Sequence, residues 1–139
     1  MAVNRALGSQ TPAAMPGART IPSMNLLPIY RITVFVPPEH LAALKAGILA
    51  IDDLALGDYR EVMWTSAPGF EQYRPGTAAA PRLGKAGELV STPSVRLEFS
   101  IPRDAQRLRR VISEGVHAHH PWEVPAVFVD EAVFPQPSR

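Results

Sequence analysis

Residues 30–36 read YRITVFV and residues 37–39 read PPE, and this stretch decides the fold of the chain. Aliphatic side chains alternate with other side chains at a period of two, which predicts a strand. Proline is tolerated in the first turn of a helix and a carboxylate there interacts favourably with the helix dipole, so Pro38 and Glu39 predict a helix start. The apolar residues that follow recur at helical spacing and form one buried stripe: Leu41, Leu44, Ile48 and Ile51.

A second strand followed by a helix lies nearer the C-terminus. Residues 95–101 read VRLEFSI and give the clearest alternation in the chain, and Pro102 closes this strand. The spacing then predicts a helix that ends within residues 117–120, before Pro121. Its buried face consists of Leu108, Val111, Ile112 and Val116.

The remaining segments complete a repeated pattern. Strand-forming residues from Tyr59 to Thr65 predict the second strand, and residues from Val124 to Val129 predict the last. A connection rich in glycine and proline, Ser66 to Thr92, lies between the halves, and loops of this length are usually functional or make contacts in an oligomer. The order predicts an α+β, ferredoxin-like βαββαβ sandwich, with an antiparallel sheet and two helices on one face. The other face includes Phe35 and is expected to pack against another subunit.

The domain is expected to occupy residues 29–134. Residues 1–28 contain four prolines, two arginines and no acidic residue, which predicts a disordered N-terminal tail. Residues 135–139 are expected to form a short C-terminal tail. Met24, just before the first strand, is an alternative start of the translated protein.

Composition limits the classes of function. The chain has 139 residues, of which 46% are hydrophobic, and this suffices for one core. A net charge of +1 argues against nucleic acid as a partner, and the lack of cysteine excludes disulfides and thiolate metal sites. No apolar run approaches the roughly 18 residues that span a bilayer. These features predict a cytoplasmic protein without membrane association.

Six short motifs occur in an order that resembles a known domain. They are Val34-Phe35-Val36-Pro37, Gly57-Asp58-Tyr59, Tyr73-Arg74-Pro75-Gly76, Pro81-Arg82-Leu83-Gly84, Arg96-Leu97-Glu98 and His120-Pro121-Trp122-Glu123. Together they resemble the PII-like and CutA-like domain that is inserted in the Nif-three-like family, the GTP cyclohydrolase type-two homologues, and that stands alone in small YqfO-type proteins. The resemblance covers about three quarters of the chain.

The resemblance implies a ferredoxin-like core, trimeric or other ring-like association, and a long connection placed like the signalling loop of PII. Trp122 stands where the family usually has tyrosine, and Val124 where a second glutamate is common. The sequence does not show the two metal-binding domains that flank the insert in longer members. A dinuclear metal centre and hydrolase activity are therefore not carried over.

A histidine cluster is the sharpest chemical feature. His117, His119, His120 and Glu123 supply imidazole and carboxylate groups within a few residues, as ligands of zinc, copper or nickel do. These four residues are candidate ligands of a divalent transition metal. The alternative is that the imidazoles lie at a helix C-terminus, where a cation interacts well with the dipole.

Three further residues are candidates for binding a small ligand. Arg74 in a glycine-containing loop suits an anion, and Trp122 could stack on a ligand. Tyr59 belongs to one of the motifs. The alternatives are a solvated or salt-bridged arginine and an aromatic side chain in the core or in a subunit interface.

No complete catalytic motif is present, so no catalytic residue is assigned. The leading hypothesis is a non-enzymatic, homo-oligomeric PII-like module, most simply a trimer, that binds a small ligand or a divalent metal near His120 and Glu123. The connection Ser66 to Thr92 would report or cap that event. One alternative is a metal-dependent hydrolase that activates water at the histidine cluster. Another is a structural protein that interacts through its free sheet face.

Overall fold

The computed structural model describes residues 23–138. Five strands form its sheet: β1 (Met24–Val36), β2 (Trp64–Thr65), β3 (Gly69–Tyr73), β4 (Val90–Pro102) and β5 (Val127–Pro137). A 3₁₀ turn, Pro38–His40, leads into helix α1 (Leu41–Ile51). Helix α2 (Ala105–Arg110) continues directly as a π-helical segment, Val111–His117. Within the described residues, no helix is long and apolar enough to cross a membrane.

The strands pair in the order β2–β4–β1–β5, and β3 pairs with the first part of β4. Every pairing is antiparallel. In each strand–helix–strand half of the chain, the two strands are therefore not neighbours in the sheet, because a strand of the other half lies between them. This topology confirms the predicted α+β, ferredoxin-like fold.

The hydrophobic core lies between the helices and one face of the sheet. The alternation predicted in β1 and β4 places every second side chain on that face, where it is almost fully buried. The core consists of Ile32, Val34, Val36, Leu44, Ile48, Leu54, Val95, Leu97, Phe99, Ile101, Val111 and Val116. Both helices cover this one face, as the sequence predicts.

A glycine lets the two helices approach each other closely. A Cβ atom added at Gly47, in the middle of α1, would lie 2.2 Å from Cγ of His119. The His119 ring is held there because its Nδ1 lies 2.8 Å from the carbonyl oxygen of Gly115. Glycine is costly inside a helix, and the close approach of this ring explains its presence.

The second strand is much shorter than predicted. Only Trp64–Thr65 pairs with β4, whereas Tyr59 lies in a turn in which Leu56 and Tyr59 form an isolated bridge. Gly57 has a φ of 61° and Glu61 a φ of 57°, and these left-handed conformations interrupt an extended strand. The predicted span from Tyr59 to Thr65 is therefore corrected to its last two residues.

The long connection contains a hairpin that the sequence pattern did not reveal. Residues 69–73 form β3, which pairs with residues 90–94 at the start of β4. The irregular part of the connection is thus reduced to residues 66–68 and 74–89. The flanking glycines and prolines suggested a loop, but pairing with β4 provides the hydrogen bonds that make this segment a strand.

The sheet also extends beyond the domain boundaries predicted at residues 29 and 134. Strand β1 begins at Met24 and β5 ends at Pro137, and these two residues are paired. The rest of the predicted N-terminal tail, residues 1–22, lies outside the described residues.

This extension contains three prolines, and all three occupy positions that make no hydrogen bonds between β1 and β5. The Phe35 N–H donates to the Ala126 carbonyl, so odd positions of β1 and even positions of β5 face each other with hydrogen bonds. The backbone nitrogens at the alternate positions, the even positions of β1 and the odd positions of β5, point away from the partner strand. These positions include Pro28, Pro135 and Pro137. β5 is an edge strand, so Pro135 and Pro137 cost no ladder bond. Pro28 lies just before the residues of β1 that pair with β4, and its carbonyl accepts from the Arg103 N–H at 3.1 Å.

Candidate binding site

Three separate segments of the chain enclose a cavity of about 420 Å³. One wall comes from β3 and the residues after it, the second from the irregular connection, and the third from the segment that precedes β5. The lining residues are Glu71, Tyr73, Pro75, Ala79, Pro81, Arg82, Trp122, Glu123, Val124, Pro125 and Ala126. The cavity thus brings together residues from three of the motifs, two of which are close in sequence (residues 73–76 and 81–84) while the third, residues 120–123, is distant.

Strand β3 presents Glu71 and Tyr73 to the cavity together, because residues two apart in a strand lie on one face. An oxygen of Glu71 accepts a hydrogen bond from the buried hydroxyl of Ser94, 2.6 Å away. The Tyr73 hydroxyl donates to the carbonyl oxygen of Leu83 at 3.0 Å. Both side chains are thereby held in fixed positions by neighbouring segments.

Trp122 forms the aromatic wall of the cavity. Its ring packs against that of Tyr73, with 5.5 Å between centroids and 58° between planes. On another side it meets the His120 ring edge to face, at 5.8 Å. Its indole Nε1 is buried and has no hydrogen-bond partner among the described residues. A buried donor without an acceptor is uncommon in native structures and calls for an explanation.

His120 holds the Trp122 segment on the fold. Nε2 of His120 lies 2.7 Å from the Phe35 carbonyl oxygen, which can only accept, so this nitrogen carries the proton. Nδ1 accepts a bond from the Trp122 N–H at 3.1 Å, so it is unprotonated. The buried imidazole is therefore neutral, with both nitrogens engaged.

Burial lowers the pKa of His120, because a charged imidazole would lose its hydration. The hydrogen bond to the Phe35 carbonyl acts in the opposite direction, and the nearby His40 and His117 lower the pKa further. The net effect favours the neutral ring.

The other predicted metal ligands lie in different environments. His119 packs over Gly47 with its Nδ1 near the Gly115 carbonyl, and His117 is exposed at the end of the π-helical segment. Glu123 lines the cavity, where one of its oxygens accepts from the Ala80 N–H at 2.7 Å. Residues 23–138 contain no group of three His, Cys, Asp or Glu side chains placed to hold a metal ion. The predicted metal site therefore stays a prediction without a visible cluster.

The three predicted ligand-binding residues are separated by the fold. Trp122 lines the cavity, whereas Arg74 lies beside it and donates from its guanidinium to the Gly87 carbonyl, which fastens the connection. Tyr59 is exposed and lines a different, open cavity of about 670 Å³ together with Gln136. Of these three residues, only Trp122 thus lines the cavity of about 420 Å³, which we call the Trp122 cavity.

Sequence reasoning did not select Glu71 and Tyr73 as site residues. Tyr73 belonged to a motif, but its neighbour in the motif, Arg74, was chosen for its charge. The signal that could have found both is their spacing of two in a short segment that contains Phe70 as well. Such spacing is typical of a strand that presents one face to a site.

No protein-family model matches the chain. The GTP cyclohydrolase 1 type 2 homolog of Mycobacterium leprae is 31% identical over 105 residues, which cover 76% of this chain and 26% of that protein. The protein of the same name from Listeria innocua is 31% identical over 103 residues, which cover 73% of this chain and 26% of that protein. The chain spans about a quarter of the length of these curated relatives.

Among solved structures, a Bacillus cereus protein related to NIF3 has a similar fold. It superimposes with a TM-score of 0.59 at 23% identity, over 80% of this chain and 28% of that chain. The matched region is again one part of a longer relative.

Proposed function

Because the chain belongs to the Nif-three-like family through its PII-like domain, we propose that it is an oligomeric binding module that takes a small ligand into the Trp122 cavity. The observation that carries this proposal is the convergence of three motif-bearing segments on one cavity. Its volume lies within the range of about 300–1,000 Å³ that is usual for small-molecule sites.

The chemistry of the walls supports a ligand with an apolar body. Prolines, alanines, a valine and the two aromatic rings make up most of the lining residues, and a small number of polar groups could fix an orientation. The indole ring of Trp122 is held against the rings of Tyr73 and His120, so a ligand would meet an aromatic surface that is already in place.

The irregular connection, residues 74–89, is the proposed reporter of binding. It is tied to the sheet by the Tyr73–Leu83 bond and to the Trp122 segment by the bond between Ala80 and Glu123. A ligand that displaced either bond would loosen the connection, and one that filled the cavity beside them would fasten it. The binding state would then alter the surface offered to another protein.

The proposed assembly is a homo-oligomer, with a trimer as the simplest form, and the proposed location is the cytoplasm. The oligomer is supported by large aromatic side chains that stay exposed on the sheet face opposite the helices, Phe128 and Trp64 among them. Light scattering across a micromolar concentration range tests the mass.

Intrinsic fluorescence provides a direct test of ligand binding. The chain has two tryptophans, so Trp64→Phe leaves Trp122 as the single reporter at the cavity wall. We expect a saturable change of Trp122 emission with at least one ligand from a panel of nucleotides, amines, organic acids and amino acids. Tyr73→Ala should weaken that response at least tenfold, while Tyr59→Ala, at the separate cavity, should leave it unchanged. A panel that leaves the emission constant would contradict the proposal.

A further inference from the structure

We infer that the ligand of the Trp122 cavity is an organic cation, an ammonium or guanidinium group carried on an apolar stem. This inference rests on the proposed function of the same cavity and gives its ligand a charge and a chemical class. Neither the motifs nor the relatives indicate this charge, which comes from the residues that meet at the cavity.

The aromatic wall favours a positive group. The rings of Tyr73 and Trp122 contact each other at one side of the cavity, so their π-faces and edges are fixed relative to each other. The face of an aromatic ring attracts a cation, and Trp is the strongest of the aromatic side chains in this respect. The neighbouring prolines, Pro75, Pro81 and Pro125, provide apolar surface for a stem.

Two carboxylates add negative charge to the same cavity. Glu71 uses one oxygen to accept from Ser94 at 2.6 Å, and Glu123 uses one to accept from the Ala80 N–H at 2.7 Å. Within the described part of the chain, the second oxygen of each carboxylate has no hydrogen-bond partner. Each glutamate is therefore held in place by one oxygen and has the other available for a donor, and a charged donor makes the strongest such bond.

The balance of charge disfavours an anion. Arg82 is the one cationic side chain among the described residues that line the cavity, and it is exposed, with Nη2 3.4 Å from Nε2 of His40. Two carboxylates and one guanidinium leave a net charge of −1 on the lining. A phosphate or carboxylate ligand would need the opposite arrangement, with convergent basic groups or backbone N–H donors.

A series of probes that differ only in charge tests this inference. In the Trp64→Phe protein, Trp122 emission is titrated with 4-phenylbutylamine, neutral 4-phenylbutanol, anionic 4-phenylbutyrate and ATP. We expect the amine to bind at least ten times more tightly than the alcohol, and the two anions to bind more weakly still. The amine should also lose affinity as salt is raised, because its charge is only partly shielded from solvent.

Isosteric variants identify the site of the charge. Glu71→Gln and Glu123→Gln keep the shape and the acceptor oxygen but remove the charge, so each should raise the Kd of the amine about tenfold and leave that of the alcohol unchanged. Glu114→Gln is the matched control, because Glu114 is exposed on the π-helical segment and paired with Arg110, away from the cavity. Far-ultraviolet circular dichroism verifies that each variant is folded.

The outcomes separate the two proposals. Tighter binding of 4-phenylbutyrate or ATP than of the amine, sensitive to Tyr73→Ala, would overturn the cation and leave the binding module standing. Unchanged amine affinity in both glutamine variants would also contradict a cationic ligand, and no change of Trp122 emission with any probe would contradict both proposals.

Nα-acetyl-lysine amide distinguishes the source of the cation. Tighter binding of this compound than of phenylbutylamine indicates a side chain presented by a polypeptide, and weaker binding indicates a free amine.

Discussion

The two faces of the sheet differ in what covers them. On the face beneath the helices, aliphatic side chains such as Ile32 and Leu97 have no exposed surface. On the open face, Phe128 is 58% exposed and Trp64 is 51% exposed. The same sheet therefore has a fully buried hydrophobic core on one face and large, exposed aromatic side chains on the other.

The open face is nevertheless organised. Phe35 and Phe128 contact each other edge to face at 6.3 Å, and the Arg96 guanidinium lies 4.7 Å from the ring centroid of Trp64. Such contacts position large side chains without burying them. The apolar burial that stabilises the folded chain therefore lies mainly on the sheet face beneath the helices, whereas the open face is a surface suited to a partner.

Removal of core volume should give the largest effect. Leu97→Ala deletes a fully buried side chain of β4 and should lower the free energy of unfolding by about 2–5 kcal/mol, because a cavity remains. Ser100→Ala, at a position of β4 on the opposite face, is the control and should cost less than about 1 kcal/mol. Urea unfolding measures both. Equal losses for the two variants would contradict the difference between the faces.

The ion pair that joins the two helical segments should come second. Arg107 donates from Nε and Nη2 to the two oxygens of Asp52, at 2.6 and 2.8 Å, at the end of α1. Arg107 lowers the pKa of Asp52, with a smaller contribution from the Leu54 N–H, and burial opposes this. Asp52→Asn should lower the free energy of unfolding by about 1–2 kcal/mol at pH 7. This range is smaller than for a fully buried pair, because Arg107 is partly exposed and solvent screens its charge.

The pH dependence of this cost has a definite sign. Asp52 titrates at lower pH in the folded chain than in the unfolded chain, so its contribution is complete above the usual aspartate pKa. The contribution is lost as pH falls through the lowered pKa of the folded state. Unfolding of wild type and Asp52→Asn should therefore converge in acid, and a constant difference from pH 7 to pH 2 would refute this.

A smaller effect is expected from His120, whose pKa is lowered because burial favours the neutral ring. Below an ordinary imidazole pKa of about 6.5 the unfolded chain binds a proton that the native chain does not. Stability should thus fall as pH drops from 7 toward the lowered pKa of the folded state. The non-titrating variant His120→Gln should lose this part of the pH dependence, as measured by urea unfolding at closely spaced pH values. His117→Gln, at an exposed position, is the control.

The smallest effect on stability should come from the open face. Phe128→Ser removes an exposed ring and should change the free energy of unfolding of a monomer by less than about 1 kcal/mol. If this face is the proposed interface, the same variant should reduce the mass measured by light scattering. A wild-type protein that stays monomeric across the micromolar range would remove the basis for that prediction.

The sequence predicted the elements whose signal is local. The alternation in β1 and β4 and the helical stripes gave the order of these elements along the chain and the faces that they bury, because each pattern extends over a single element. Strand β3 was not found, since a proline and a glycine stand at each end of it, at residues 68–69 and 75–76, and its structure comes from pairing with residues 90–94. Propensity is a weak guide where tertiary pairing decides.

The candidate site was predicted only in part for the same reason. Trp122 and Glu123 stood out in their motif, but the partner side chains Glu71 and Tyr73 reach the cavity through β3. His120 was chosen as a metal ligand, whereas the carbonyl oxygen that fixes its tautomer belongs to Phe35, 85 residues earlier. No pattern in a single segment reveals such a contact.

The parity of the prolines in β5 protects the protein against strand addition. An edge strand exposes unpaired N–H groups that can recruit a foreign strand and start aggregation. Pro135 and Pro137 remove donors from the outer side of this edge and leave every inward bond intact. The C-terminal half of β5 is thus a poor template for another strand, so the proposed self-association would use the aromatic face of the sheet and not this edge.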